Sequence, residues 1–541
     1  MTLVLLALSL IALAAGTGLL SRYLPLVPLP LLLVGVGIGL GLSGIDGFRV
    51  DLQPEVFLFL FVPPLLFADG WRLPKREAFL LRGHIILHAF ILVLVTVILV
   101  GYFVHWLRPD IPLWAAFALG SVLSPTDAVA VAAISRKIKV PRTLMHILQG
   151  EALLNDATGL VALKFSLLAS IGAFTLAGAA GDILLVSIAG AGIGAGLAYL
   201  YGKARLFLAE TDGSTTIPLV LLLVLLPFGA YLLAESLHVS GILAAVGAGV
   251  MMTYADPKHD DNASLRLQAG NFFSLFTYVF NGLIFLLLGL QVPRILDAGI
   301  RAAESNGHGG WHLLLLVVLV TAAILLIRLA WGWGESRLAR IRNTDNPALP
   351  REAPGVRLLM AHTVAGIRGA VTLAAAISLP VQIAAGGKFP ARDELILIAA
   401  GVIILTLLIA AIALPSLLRG MPQVEEKAVE QERAGAAVKA SHAAIDAIAR
   451  APSLEQGGST GVAGVVQVVT EQYQQKIEAE QQESGSDHAV SLEHDMTRQA
   501  RLVGLRAERE ELHRLHGAGE INDETLNVLM KPLDLAEESL R

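Results

Sequence analysis

Apolar residues fill long runs along the first 420 residues of the chain and then stop. The runs lie at roughly 2–20, 24–43, 53–70, 84–105, 112–134, 144–170, 182–202, 216–235, 238–254, 270–291, 312–334, 358–386 and 394–418. About 20 mostly apolar residues form a helix that can cross a bilayer core. The first run lacks the basic start of a signal peptide, so we interpret it as a membrane helix. The pattern therefore predicts an all-α polytopic membrane protein with about 13 transmembrane helices.

Basic residues are distributed unevenly between the connections on the two sides of this predicted bundle. Alternate connections, beginning with 21–23, contain 18 Lys and Arg, whereas the other set contains 6. Positive charge accumulates in cytoplasmic loops, and an odd number of spans puts the termini on opposite sides. The count thus predicts an outside N-terminus and a cytoplasmic C-terminus.

Composition supports a membrane protein and separates a polar tail from the rest. The chain is 55% hydrophobic and 16% charged, it contains no Cys, and the residues from 420 onward include 12 Lys and Arg against 22 Asp and Glu. The prediction is a transmembrane domain over 1–419 and an acidic cytoplasmic regulatory tail over 420–541. Within the tail, a Gly-rich joint is predicted at 457–466 and helices at 490–514 and 522–540. The missing Cys excludes disulfides and thiolate metal sites.

Few ionisable residues lie within the predicted spans, and each is a candidate for function. An ionisable group at mid-bilayer costs at least about 2.5–3.5 kcal/mol on insertion scales, so it needs a partner, a watery cavity or a role. Two arginines are available to neutralise two acids, and one acid is left over. Lys164 is interpreted as snorkelling to the interface, Asp69 as a cap or interfacial residue, and His88 and His362 as weaker candidates. The main set comprises Asp127, Glu151, Asp156, Arg328 and Arg368.

Two of the predicted spans carry signals for an interrupted helix. Pro125 in SPTDAVAV removes a backbone donor and disfavours helix at the preceding residue. In GIRGAVTLA, Gly366 and Gly369 flank Arg368 and favour a second interruption. Interrupted helices in both halves of a transporter indicate a mid-membrane site built from an inverted repeat. An acid such as Asp127 suits the N-terminal end of a half-helix, and an arginine suits the C-terminal end.

Four motifs in this order resemble the monovalent cation:proton antiporter family, in the sodium/proton exchanger branch with an Asn-Asp pair. They are SPTDAVAV, GEALLNDATGLVAL, LLIRLAW and GIRGAVTLA, and FVPPLLFADGW is similar to that family's third span. The resemblance covers about residues 1–420. It implies two crossed, interrupted helices, a six-helix core that moves against a dimerisation bundle, and a homodimer.

The resemblance also implies which residues handle the ions. Asp156 corresponds to the carboxylate that exchanges cation for proton, and Asn155 helps to shape the site. Thr126 and Asp127 correspond to the Thr-Asp of the first crossed helix, with Thr126 offering oxygen to the ion. Asp156 and Thr126 are therefore the expected Na⁺ ligands.

Charge compensation and a departure from the family pattern follow from the same comparison. Glu151 and Arg328 correspond to a buried ion pair, and Arg368 is expected to compensate Asp127 and helix ends. Many members have Ser where this chain has Ala152, which removes a possible hydroxyl ligand.

The expected activity is secondary, electroneutral one-for-one exchange of Na⁺ for H⁺ by alternating access in a bacterial cytoplasmic membrane. No enzymatic activity, cofactor, nucleotide or nucleic acid is expected, and the partners are lipid, the transported ions and a second copy of the chain. An ATP-driven pump is disfavoured because no phosphate-binding Gly-x-x-x-x-Gly-Lys-Ser/Thr stretch occurs. Exchange of K⁺ or Li⁺ for protons remains the main alternative, and a cation channel is a weaker one.

Overall fold

The computed structural model divides into two compact units, Met1–Met421 and Pro422–Arg541. In the first unit it describes residues 2–24, 27–45, 54–135, 140–170, 176–209, 216–255, 263–305, 310–342, 355–383 and 387–419. In the second unit only scattered positions after residue 434 are described. The Gly-rich joint and most of both helices predicted for the tail lie outside the described residues, so the regulatory role of the tail stays a prediction.

The described part of the first unit is helical. Its α-helices are α1 Thr2–Leu20, α2 Leu29–Leu42, α3 Pro54–Arg72, α4 Lys75–Leu80, α5 Arg82–Ile86, α6 Val93–Leu107, α7 Leu113–Leu123, α8 Ala128–Ile134, α9 Arg142–Ala169, α10 Leu176–Ala209, α11 Thr216–Ser236, α12 Gly241–Ala255, α13 Ala263–Ser305, α14 Gly310–Arg342, α15 Val356–Val364, α16 Ala370–Ile377 and α17 Arg392–Leu418. A π-helical turn, Leu87–Leu92, joins α5 to α6. Among the described residues, β pairing is limited to an isolated bridge between Gln382 and Lys388.

Seven of the described helical stretches are long and apolar enough to cross a membrane, and an eighth is added if α7 and α8 count as one bent span. The seven are Arg82–Leu107, Arg142–Ala169, Leu185–Phe207, Ile217–Ser236, Leu267–Glu304, Trp311–Arg337 and Arg392–Leu418. The prediction of a polytopic helical membrane protein is therefore confirmed. The number of 13 crossings and the inverted repeat stay predictions.

Both predicted interruptions are present. Helix α7 ends at Leu123 and α8 begins at Ala128, with a 45° bend between them. Pro125 lies within this break, as expected for a residue that cannot donate to the helical ladder. Helix α15 ends at Val364 and α16 begins at Ala370, so the break includes Arg368. Each break leaves backbone groups without intrahelical partners in the interior of the bundle.

Buried apolar side chains form separate cores that hold these helices in place. One core joins α6, α7, α14, α16 and α17, and another joins α8, α9, α13, α15 and α17. A third core packs α3 against α10, α11, α12 and α13. The interrupted helices belong to the first two cores, which fix both breaks against α9 and α17.

Candidate ion-binding site

The two helix breaks contact each other directly. The backbone N–H of Asp127 donates to the carbonyl of Ile367 at 2.8 Å. A Cβ atom at Gly369 would lie only 2.0 Å from Oδ2 of Asp127, so the second break needs glycine where the first approaches it. On the other side, a Cβ at Gly159 of α9 would lie 2.6 Å from Cγ of Pro125. The absence of two side chains thus allows α9 and the breaks to meet.

Opposite charges stabilise the half-helix ends at this crossing. The carboxylate of Asp127 accepts the N–H groups of Val129 and Ala130 at 2.9 and 3.0 Å, and so caps α8. The Nε of Arg368 donates to the carbonyl of Leu123, the last residue of α7, at 2.8 Å. This arrangement follows the sign of the helix dipole at each end. Within the described region, Arg368 bonds to carbonyl oxygens and not to the Asp127 carboxylate.

A buried ion pair lies on the neighbouring face of α9. Glu151 is 1% exposed, and its two oxygens accept from Arg328 of α14 at 2.5 and 2.8 Å. This two-point geometry is the strong form of the carboxylate–guanidinium interaction. The structure therefore brings together the two residues that the family resemblance pairs.

The ion pair is linked to the first break through one hydroxyl group. Thr126 donates to Oε1 of Glu151 at 3.3 Å and accepts from Nδ2 of Asn155 at 2.7 Å. Oδ1 of Asn155 is buried and has no hydrogen-bond partner in the described region. The side-chain amide of Asn155 thus holds the Thr126 hydroxyl in position, while its own Oδ1 accepts no hydrogen bond in the described region.

Three carboxyl groups line a cavity of about 270 Å³ beside the crossing. They belong to Asp69, Asp127 and Asp156, and the wall also includes Thr126 and Ala152. Asp156 is 8% exposed, and within the described region its carboxylate has neither a hydrogen bond nor an ion pair. Oxygen atoms dominate the polar lining, and hard cations favour oxygen ligands. Ala152 occupies the wall where many family members would place a hydroxyl.

Sequence reasoning did not place Asp69 at this site. It is the third carboxyl group of the cavity, although its position near the end of a predicted span suggested a cap. Arg72, one turn further along α3, lines the same cavity and attracts Asp69 electrostatically. The i, i+3 spacing of the two residues is the sequence signal that places both on one helix face. Lys164, in contrast, is exposed, in agreement with its interpretation as an interfacial residue.

Comparisons with known proteins show which family this chain is similar to. The family model of the transmembrane sodium/hydrogen exchanger matches residues 8–420. The chain is 39% identical over 503 residues to YjcE of Escherichia coli (strain K12), named as an uncharacterised Na⁺/H⁺ exchanger, and covers 91% of each protein. It is 34% identical to a sodium, potassium, lithium and rubidium/H⁺ antiporter of Bacillus subtilis (strain 168), covering 98% of this chain and 77% of that one.

A solved structure shares the fold. The sodium proton antiporter MjNhaP1 of Methanocaldococcus jannaschii aligns with a TM-score of 0.56 at 16% identity, covering 78% of this chain and all of that one. The family match extends over nearly the whole membrane unit, including both helix breaks and the acids around them. The chain therefore belongs to the sodium/hydrogen exchanger family of monovalent cation:proton antiporters, which are secondary transporters and not enzymes.

Proposed function

We propose that this antiporter exchanges Na⁺ for H⁺ one for one, with Asp156 binding the cation and the proton in turn. The observation that carries the proposal is the contrast among the buried acids at the crossing. Asp127 caps a helix and Glu151 is paired with Arg328, whereas Asp156 faces the cavity without a hydrogen bond or ion pair in the described region. Burial of an uncompensated carboxylate disfavours its bare charged form, so the group favours a bound proton or a bound cation.

The cavity also supplies further oxygen ligands for a dehydrated cation. Thr126 lines the wall, and its hydroxyl oxygen is held by Asn155 and Glu151. A carboxylate, a hydroxyl and backbone carbonyls released at the breaks form a ligand set suited to an alkali cation. Ala152 contributes no oxygen side chain, so water or backbone takes that place in the coordination shell.

Charge accounting supports electroneutral exchange. Arg72 attracts the carboxyl group of Asp69, the α8 N–H groups stabilise Asp127, and Arg328 is paired with Glu151. Among the three cavity acids of the described region, Asp156 has neither a basic neighbour nor a helix end to stabilise its charge, so one Na⁺ or one proton would neutralise it. If the site moves across the membrane only when this charge is covered, a gradient of either ion drives the other in the opposite direction without a cofactor. We further propose a homodimer with 13 crossings, an inverted repeat and the N-terminus outside.

A second substrate range is supported by one comparison. The Bacillus subtilis relative is named as an antiporter for sodium, potassium, lithium and rubidium. These cations accept the same oxygen ligands, and discrimination among them depends on cavity size and ligand number. Potassium and lithium are therefore the alternatives to test against sodium.

Proteoliposome exchange measured with an internal pH dye tests the proposal. Na⁺ added outside vesicles that contain the parent protein should enter in exchange for H⁺ and alkalinise the lumen, and clamping the membrane potential should not change the signal. Asp156→Asn should abolish exchange while retaining parental folding. Asp297→Asn, at a 63% exposed side chain, serves as the matched control. Parental exchange by Asp156→Asn would reject the assignment, and a potential-dependent reversal point would reject one-for-one exchange.

A further inference from the structure

A second cluster of ligand atoms meets Oε2 of Glu151, whereas Thr126 donates to Oε1 of the same carboxylate. It contains Nδ1 of His88 in the π-helical turn, Oε2 of Glu151 on α9 and a ring nitrogen of His362 on α15, all within 4.8 Å of one another. Neither histidine lines the cavity at the helix crossing. We propose that this cluster binds a divalent transition-metal ion such as Zn²⁺, at a site separate from that of the transported cation.

The spacing of the three atoms fits a small tetrahedral ion. With metal–nitrogen and metal–oxygen distances of about 2.0–2.1 Å, neighbouring ligands of a tetrahedral ion lie roughly 3.4 Å apart. Nδ1 of His88 lies 3.3 Å from Oε2 of Glu151, and Nε2 of His362 lies 3.8 Å from the same oxygen. The two ring nitrogens lie within 4.8 Å of each other, so rotation of the rings toward one another would complete three corners and leave the fourth to water.

His362 supplies an unused ligand atom. Its side chain is 12% exposed, and its Nε2 is buried without a hydrogen-bond partner in the described region. A buried nitrogen that lacks a partner carries a desolvation cost, which a metal bond would remove. The nitrogen faces the carboxylate of Glu151, where a cation would be held between them.

Glu335 of α14 orients the imidazole ring of His88. Nε2 of His88 donates to Oε2 of Glu335 at 2.7 Å, which leaves Nδ1 directed at Glu151. A carboxylate on the distal nitrogen of a ligating histidine is the common outer support of metal sites. His84 also contacts Glu335, and the side chains of these two residues are 25% and 20% exposed.

The ligand types and charges of this cluster favour a divalent transition metal over the transported alkali cation. Imidazole nitrogen suits Zn²⁺, Ni²⁺ and Co²⁺, whereas alkali cations favour oxygen. Arg328 donates to both oxygens of Glu151, at 2.5 Å to Oε1 and at 2.8 Å to Oε2, so a metal on Oε2 shares that oxygen with the guanidinium. Glu151 and Glu335 together provide two negative charges against the single charge of this arginine. Any proton on Nδ1 of His88 is released to water when the metal binds.

A bound metal would join three elements next to the ion-binding site. Glu151 lies one helical turn before Asn155 on α9, and His362 lies near the end of α15, just before the second break. His88 lies in a π-helical turn, a distortion often found at functional sites. We therefore expect Zn²⁺ to rigidify the crossing and to slow exchange.

Metal binding to the purified full chain, carrying an affinity tag without histidine, tests the proposal independently of transport. Co²⁺ titration should reach one ion per chain and give the intense visible absorption of tetrahedral Co²⁺, and Zn²⁺ should displace it. His362→Leu and His88→Gln should each abolish that spectrum. Glu335→Gln should weaken binding by about 10–100-fold, as expected for the loss of an outer carboxylate.

His238→Asn is the matched control because His238 is exposed and has φ of 60°, which Asn tolerates. This variant should bind Co²⁺ like the parent, and Zn²⁺ should raise the thermal midpoint of both proteins but not of the His362 and His88 variants. The site is rejected if the parent gives no tetrahedral spectrum at saturating Co²⁺. It is also rejected if both ligand variants, folded by the thermal assay, retain the parental spectrum.

Discussion

The ion pair between Glu151 and Arg328 allows a quantitative test of how the buried charges are compensated. Both residues are almost fully buried, and their two contacts measure 2.5 and 2.8 Å. Removal of one partner from such a pair costs about 3–5 kcal/mol because the other charge is stranded. Glu151→Gln and Arg328→Gln should therefore both lower the free energy of unfolding by amounts in this range.

The surroundings predict that the two losses differ. Without Arg328, the Glu151 carboxylate keeps His88 at 3.3 Å and the Thr126 hydroxyl at 3.3 Å. Without Glu151, the guanidinium keeps the carbonyl of His362 at 3.2 Å and loses both of its carboxylate contacts. Glu151→Gln should therefore be the more destabilising change. The double variant strands neither charge, so its loss should be smaller than the sum of the single losses.

Thermal midpoints of purified protein in detergent, with the yield of monodisperse protein, measure these effects. The exposed pair of Asp297 and Arg301 provides the control, and Asp297→Asn should change stability by less than about 1 kcal/mol. Single variants with parental midpoints would show that the pair does not compensate buried charge. Strict additivity in the double variant would refute the coupling.

Three further changes test other parts of the site. Gly369→Ala puts a Cβ 2.0 Å from the Asp127 carboxylate and should abolish exchange. Gly192→Ala, whose Cβ would have no atom within 4 Å, should preserve exchange. Equal exchange rates in the two variants would refute the close crossing. Asp69→Asn should change the rate or apparent Na⁺ affinity in the dye assay, and parental kinetics would remove this carboxyl group from the ion path. The guanidinium of Arg392 donates to two carbonyls at the C-terminal end of α16, at 2.7 and 2.9 Å. Arg392→Gln should therefore lower the thermal midpoint by the equivalent of about 1–3 kcal/mol. An unchanged midpoint would contradict this capping.

Local sequence signals identified the two breaks and the charged groups inside the bundle. Pro125 predicts its break through a missing donor, and the glycines around Arg368 predict the other through conformational freedom. Both breaks occur where these signals place them. Buried charges were recognisable because an apolar run makes each of them costly. The family assignment, which depended on these motifs in order, is confirmed.

Contacts between residues far apart in the chain could not be predicted from local sequence signals. Arg368 satisfies the end of α7 at Leu123, a pairing that depends on how two interrupted helices cross. Its position near the end of a span predicts Asp69 as a cap or interfacial residue. Position along the span does not show that the helix face with Asp69 points toward the cavity. His88 and His362 seemed unrelated along the chain, and only packing brings both beside Glu151.

The sequence by itself determined that this protein is a helical membrane antiporter with two interrupted helices and a small set of buried charges. Hydrophobic length, missing backbone donors and the cost of burying charge are local properties, so each can be judged from a short stretch of residues. Only the tertiary structure showed that Arg368 satisfies the end of α7, that Asp69 lines the cavity, and that Asp156 faces it without a hydrogen bond or ion pair in the described region. Electrostatic and hydrogen-bond energies depend on distances of a few ångströms between segments far apart in the chain, and packing sets those distances.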